Sequence, residues 1–409
     1  MDKNNIRRQF PALNQAFVFM DNAGGSQTLG SVADEVRDYL LTDNVQHGAS
    51  YAVSQNAVNR LKQSLEKFRL MFNARFQDEL IFGASATQLT KNLSLALESS
   101  IHAGDEIILT NTEHEANSGP WKALAARRGA TIKYWTVDRE SFRLELDALM
   151  DLVTNKSKLI AMCQVSNILG ATNPVKAVTQ MAKERGIMTC IDGVAYAAHG
   201  AVDVQALGCD FYTVSLYKVF GPHIGLLFAR RELMQQLPNV NHQHIPVEVS
   251  PYRFQPGGVC YELAVGAQRI VDFLNAPTLN VAQQKTQEIH WGNIAKTYQQ
   301  FACDEEALTQ TLLDYLSARK EVTLIGPSDI KQRVGTISFV VQGKTPESIC
   351  RKVDEFAIGI RHGHFHCVQL LKDLGLFEQG GVVRVSVAHY NTEEEMDRLI
   401  AALDVALSN

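Results

Sequence analysis

Between about residues 17 and 230, short apolar runs recur at regular intervals, each followed by a turn and a segment of helical periodicity. The runs at 79–82, 106–109, 131–135, 159–162, 187–191, 211–214 and 224–228 read as buried strands. Segments 87–99, 118–128 and 175–185 read as the helices between them. Strands that are apolar throughout belong to a sheet covered on both sides, so this alternation predicts an α/β fold with a mostly parallel sheet and helices on both faces. Residues 236–258, rich in Pro, Gly, Asn and His, read as a long loop, and 261–274 as a helix. After Pro277 the pattern changes. A polar helical region over 281–319 precedes strands at 322–325 and 335–341, a helix from Pro346, strands at 357–360 and 382–387, and a closing helix over 392–407. Helices beside a small sheet predict a smaller α+β C-terminal domain. The expected division is a large domain over 15–275 and a small one made of 1–14 and 276–409.

Composition narrows the function classes. The chain has 409 residues, 45% hydrophobic and 20% charged, which suits a soluble globular protein with a large core. Its net charge is -5 and it has no basic run, which argues against a nucleic-acid partner. No apolar stretch approaches membrane-spanning length, and MDKNNIRRQF at the start holds no apolar signal core. Seven cysteines (163, 190, 209, 260, 303, 350, 367) contain no CxxC pair. An odd, scattered set argues against a disulfide frame or structural zinc and for a reducing, cytoplasmic setting.

Chemistry-bearing residues gather where strands end, which is where open α/β sheets collect ligands. Asp192 follows the run 187–191, and Lys218 follows 211–214. Gly83-Ala84-Ser85-Ala86-Thr87 links a strand to a helix and could present backbone N–H groups to a phosphate. Glu113-His114-Glu115-Ala116-Asn117 and Gln164-Val165-Ser166-Asn167 follow two further strands. An amine and a carboxylate at fixed points of one sheet suit pyridoxal phosphate: the lysine condenses with its aldehyde, and the acid keeps the pyridine nitrogen protonated. Each residue alone has a plainer reading. Lys218 could be a solvated loop lysine, Asp192, Thr87 and Ser215 helix caps, His114 a surface histidine, and Arg384 an ion-pair partner.

Taken in order, the motifs decide between these readings. Phe19-Met20-Asp21-Asn22-Ala23-Gly24, Glu113-His114-Glu115-Ala116-Asn117, Val165-Ser166-Asn167-Ile168-Leu169-Gly170, Val202-Asp203-Val204-Gln205-Ala206-Leu207, Ser215-Leu216-Tyr217-Lys218, Arg384-Val385-Ser386 and Tyr390-Asn391-Thr392 span almost the whole chain. This set resembles the class V, fold type I pyridoxal-phosphate enzymes, and within them the cysteine desulfurases of group II and the selenocysteine lyases. The resemblance implies that Lys218 holds the cofactor and shuttles the substrate Cα proton. It implies that Asp192 pairs with the ring nitrogen, His114 lies on the ring, and Ala86, Thr87 and Ser215 bind the phosphate. Asn167 and Tyr217 would lie near the ring, Arg384 would take the substrate carboxylate, and Asn22 and His364 would border the substrate. Pro256-Gly257-Gly258 would reach the neighbouring subunit's phosphate, which implies a homodimer.

Three departures keep the reaction open. Desulfurases carry sulfur on a loop cysteine, but in Arg361-His362-Gly363-His364-Phe365-His366-Cys367 the matching position is His366, and Cys367 comes one residue later. A one-residue shift in extended chain turns a side chain to the opposite face. Cys367 is therefore either a sulfur-carrying catalytic residue or a structural cysteine that starts the helix 368–374. Where the family has a hydrogen-bonding side chain three residues after the aspartate, this chain has Ala195, and Tyr217 stands where histidine is common. His362, His364 and His366 alternate, which would put three imidazoles on one side of a strand; positioning substrate is preferred over binding metal. The leading expectation is C–S or C–Se cleavage of a small amino acid, with a sulfur-acceptor protein as a possible partner. Transamination, epimerisation or β-elimination without a persulfide, and a non-catalytic binding role, are the alternatives. Selectivity is expected to depend on loops around Asn22, His47, Tyr51 and 361–367.

Overall fold

The computed structural model describes residues 3–246 and 252–408. The middle of the loop expected over 236–258 lies outside the described residues. The first strand, β1 (Val18–Phe19), stands apart from the central sheet. That sheet comprises β2 (Leu80–Gly83), β3 (Glu106–Thr110), β4 (Thr131–Trp135), β5 (Ser157–Cys163), β6 (Met188–Asp192), β7 (Phe211–Ser215) and β8 (Gly225–Ala229). Their order is β2-β8-β7-β6-β5-β3-β4. Neighbours run parallel except at β8, which is antiparallel to both β2 and β7. The α/β reading holds, and its reason is visible in β3. Ile107 and Leu109 pack with Leu93, Trp121 and Leu124 on one face, while Ile108 packs with Ile160 and Val178 on the other.

The smaller sheet comprises β9 (Val322–Ile325), β10 (Thr336–Val341), β12 (Arg361–Gly363) and β13 (Val382–Ser386), in the antiparallel order β12-β13-β10-β9. Between β10 and β12, β11 (Ile358–Gly359) pairs in parallel with β1. The strand expected over 357–360 is β11, and β12 follows it directly in the other sheet. The polar region over 281–319 also divides, into helices Val281–Thr286 and Trp291–Ser317. Asn280 and Gln283 close a capping box at the first of these.

The N-terminal segment packs the other way round from the expected division. Ile6, Phe10 and Leu13 join the large core, whereas Val18 and Met20 join the small one. The expected boundary at 275/276 is bridged as well. Helix Trp291–Ser317 places Ile294, Tyr298 and Phe301 in the large core and Leu308, Leu312 and Leu316 in the small one. Both terminal regions therefore lace the two cores together. No described helix is long and apolar enough to cross a membrane.

Candidate active site

Strand β6 carries Asp192 to the sheet's carboxyl edge, where the chain turns at Gly193. A Cβ on Gly193 would lie 2.1 Å from the Tyr212 ring, so only glycine leaves that ring in place, its hydroxyl donating to Gln164 at 2.6 Å. The register sets Asp192 opposite Thr213, and the strand period carries Ser215 to the same face. The Asp192 carboxylate is buried and accepts the Val194 N–H at 2.8 Å. Burial pushes its pKa up, against that hydrogen bond and the nearby Lys218 amine. Thr213 Oγ1 is buried without a hydrogen-bond partner and lines the same space. An acid and a hydroxyl left under-satisfied at one strand end call for a polar, proton-bearing occupant.

Lys218 ends a short 3-10 turn, Leu216–Lys218, directly after β7. Burial brings its pKa down to about 8, with the Arg384 guanidinium pushing the same way and Asp192 and Asp21 opposing. Lys218 and Asp192 face one cavity. Its floor is the start of helix Ala86–Ala96, which Ser85 caps by accepting the Gln88 N–H at 3.1 Å. Gly225 permits the close approach, because a Cβ there would come within 2.5 Å of the Ala86 nitrogen. Ala86, Thr87, His114, Asn167, Ser215 and Tyr217 also line this cavity, as does Ala195. An aromatic heterocycle with a phosphate arm fits such a space: a carboxylate at one end, a helix N-terminus with hydroxyls at the other, and an amine at the side.

Gly258 is the one expected cofactor residue that lies elsewhere within the chain. It borders a separate groove with Gln88 and His223. Neither His47 nor Tyr51 lines the cavity or its mouth. His47 instead stacks on Tyr261 at 3.7 Å and hydrogen-bonds the Tyr39 hydroxyl at 3.0 Å.

His114 caps helix Glu115–Arg128, its Nδ1 accepting the Ala116 N–H at 3.0 Å, so a neutral ring carries its proton on Nε2. Burial lowers its pKa to about 3, helped by Lys218, His366 and Arg384. Its neighbour Glu113 was not singled out from sequence. That buried carboxylate accepts from Thr110 at 2.6 Å, Asn117 at 2.6 Å and the Cys163 N–H at 2.7 Å, tying β3, β5 and the His114 helix together. Burial raises its pKa to about 7, and the Asp192 charge adds to the effect.

The cavity widens toward a mouth shared by His114, Asn167, Tyr217 and Lys218 with Arg361, His362, His364, His366 and Arg384. Arg384 is buried on β13. It donates through Nη1 to the Asn167 carbonyl at 3.1 Å and through Nη2 to Asp21 at 2.8 Å, and it lies over the Phe365 ring at 3.9 Å. Arg361, its register partner on β12, stands 3.6 Å from the other Asp21 oxygen. Asn22, expected to border the substrate, lines neither the cavity nor its mouth: its amide donates to Phe19, Ser386 and Asn391, and its oxygen accepts from Tyr390 at 2.5 Å. The side chain that meets the arginine is Asp21.

The 361–367 segment also departs from the extended strand expected of it. β12 ends at Gly363, and Phe365 and His366 adopt positive φ of 47° and 57°. The three imidazoles therefore do not share a strand face. His364 and His366 both reach the mouth, their rings 5.6 Å apart. Cys367 is buried at the start of helix Val368–Asp373, with its thiol donating to the Thr112 carbonyl at 3.2 Å. Burial pushes that thiol's pKa well up. The Cys367 thiol, considered for catalysis, faces the core, and His366 occupies the cavity side.

The family described as aminotransferase class V matches residues 18–399. An aminotransferase-like protein, FGM3, from Gibberella zeae is 38% identical over 98% of both chains. A cysteine desulfurase from Yersinia pestis is 30% identical over 97% of this chain and 96% of its own. Among solved structures, the apo cysteine desulfurase of Thermococcus onnurineus superimposes with a TM-score of 0.87 over 99% of this chain and 98% of that one, at 24% identity. CsdA of Escherichia coli gives 0.84 over 100% and 98%, also at 24%. These two likenesses speak for the fold.

Proposed function

This chain belongs to the class V aminotransferase family, whose members are pyridoxal-phosphate-dependent enzymes, and on that premise we propose that it transforms a small amino acid without a persulfide-carrying thiol. Pyridoxal phosphate, when bound, supplies an aldehyde for an amine and a ring that accepts negative charge from the substrate Cα. The residues fit that group. Lys218 would hold it, Asp192 would meet the ring nitrogen, His114 would lie on the ring face, and Ala86, Thr87 and Ser215 would take the phosphate. Arg384 would bind the substrate carboxylate through its planar guanidinium, in competition with Asp21. Lys218, displaced by the substrate amine, would move the Cα proton. Gly258, remote from Lys218 within one chain, would serve the site of a second copy, so the working form is a homodimer.

The observation that carries the reading against sulfur transfer is the placement of Cys367 in the core. Cys367→Ala is expected to keep turnover within about twofold, at a stability cost of about 1 kcal/mol from the lost side-chain volume. Sulfide release from cysteine that disappears in this variant, with fold and cofactor retained, would restore the desulfurase reading and its sulfur-acceptor partner.

The depressed pKa of Lys218 gives a second check. With half-titration at about 8, roughly a tenth of the amine is neutral at pH 7, far more than for an ordinary lysine. Uptake of pyridoxal phosphate by the apoprotein, followed by visible absorbance, should therefore speed up about tenfold from pH 7 to a plateau above pH 9. A rate that stayed flat across this range would separate the nucleophile from Lys218.

A further inference from the structure

His366 has no part in holding the cofactor in the foregoing account, yet its imidazole is held at the mouth by an anchored turn. The His366 carbonyl accepts the Glu115 N–H at 2.8 Å, and its N–H donates to His364 Nδ1 at 3.1 Å. The preceding Phe365 carbonyl accepts from the Asn167 amide at 3.0 Å, and the following Cys367 is locked in the core. The ring sits 5.1 Å from the His114 ring and borders the same opening as Lys218 and Arg384. An amino acid with its carboxylate on Arg384 and its amine toward Lys218 would direct its side chain outward, toward 361–366.

We propose that His366 is the general acid for a leaving group on the substrate Cβ, so that the enzyme catalyses β-elimination. The inference rests on the cofactor reading above. Lys218 takes the Cα proton, the bond from Cβ to the heteroatom breaks with its electron pair on the heteroatom, and the His366 imidazolium supplies that atom's proton. Water then converts the three-carbon remainder to pyruvate and ammonia. The sum is substrate plus water giving pyruvate, ammonia and the protonated leaving group, with no external oxidant or reductant.

His114 cannot fill this role as an imidazolium, because burial keeps it neutral near pH 7. The titratable and charged groups that share the mouth with His366 are His114, Tyr217, Lys218, Arg361, His362, His364 and Arg384, and among the described residues lining it none is a carboxylate. Asp21 is held between the two arginines, and the Glu115 carboxylate turns to Ser118 and Lys122.

The test compares leaving groups in the holoenzyme. His366→Asn should lower kcat on L-serine or L-cysteine by about 10²- to 10³-fold. β-Chloro-L-alanine, whose chloride departs without a proton, should lose less than about threefold. The spectral dissociation constant for unreactive L-alanine should not change. Equal losses on both substrate types, no loss on either, or a wild-type enzyme that forms no pyruvate even from β-chloro-L-alanine would each overturn the proposal. A missing visible band in the cofactor-treated wild type would instead remove the cofactor reading itself, which keeps the two failures apart.

Discussion

Lys218→Ala is expected to abolish the visible absorption of the cofactor-treated protein and to lower kcat/KM by at least about 10³-fold, since on the proposed reading one amine would both hold the cofactor and move the proton. The fold should survive, because alanine fits inside the volume that the lysine occupied. The substitution even removes a buried cation that sits beside Arg384. Circular dichroism separates the two effects: native spectra without an absorption band is the expected outcome. Turnover at the wild-type rate with the band intact would mean that another amine carries the cofactor.

Asp192→Asn is expected to have the second-largest effect. The amide is nearly isosteric and can still accept the Val194 N–H, so the turn at Gly193 should persist. What disappears is the charge that would pair with a protonated pyridine nitrogen. Breaking a buried pair by removing one partner costs about 3–5 kcal/mol, which corresponds to a loss of at least about 10²-fold in cofactor affinity or turnover. The empty protein should respond in the opposite direction. Without cofactor, the Asp192 carboxylate is buried with a single backbone donor and its pKa is raised, so the amide should be neutral or stabilising in the apoprotein. Thermal unfolding with and without pyridoxal phosphate would show this crossover. A variant that bound and used the cofactor like wild type would end the assignment of Asp192.

The residues that motifs could identify are those whose chemistry demands one side-chain type at the end of a strand. Lys218, Asp192 and His114 belong to this group, and their positions follow from strand runs that the sequence displays openly. Thr213 could have been found by the same logic. It lies two residues before Ser215 on β7 and opposite Asp192, so the strand period alone places it on the cavity face. Asp21 was not legible beside Asn22. Which of the two faces Arg384 depends on how residues 19–22 cross β11 and β13, and Asn22 is consumed by contacts with 386 and 391 that lie far away in sequence. Glu113 was hidden for a similar reason, since its three donors come from two strands and a helix.

The segment 361–367 shows the limit most clearly. Extended chain would have alternated His362, His364 and His366 on one side, with Cys367 opposite. Instead, positive φ at Phe365 and His366 folds the chain into a turn, and neither residue type announces such a conformation. The turn is stabilised from outside, by the Asn167 amide and the Glu115 N–H. Sequence alone therefore determined the α/β architecture, the strand-end chemistry and the family, because apolar periodicity and contiguous motifs are local properties. Only the tertiary structure decided that a histidine rather than a thiol borders the cavity mouth, that Asp21 shares the arginine, and that the terminal segments lace the two cores together. Those outcomes depend on hydrogen bonds and packing between segments hundreds of residues apart, which no local pattern records.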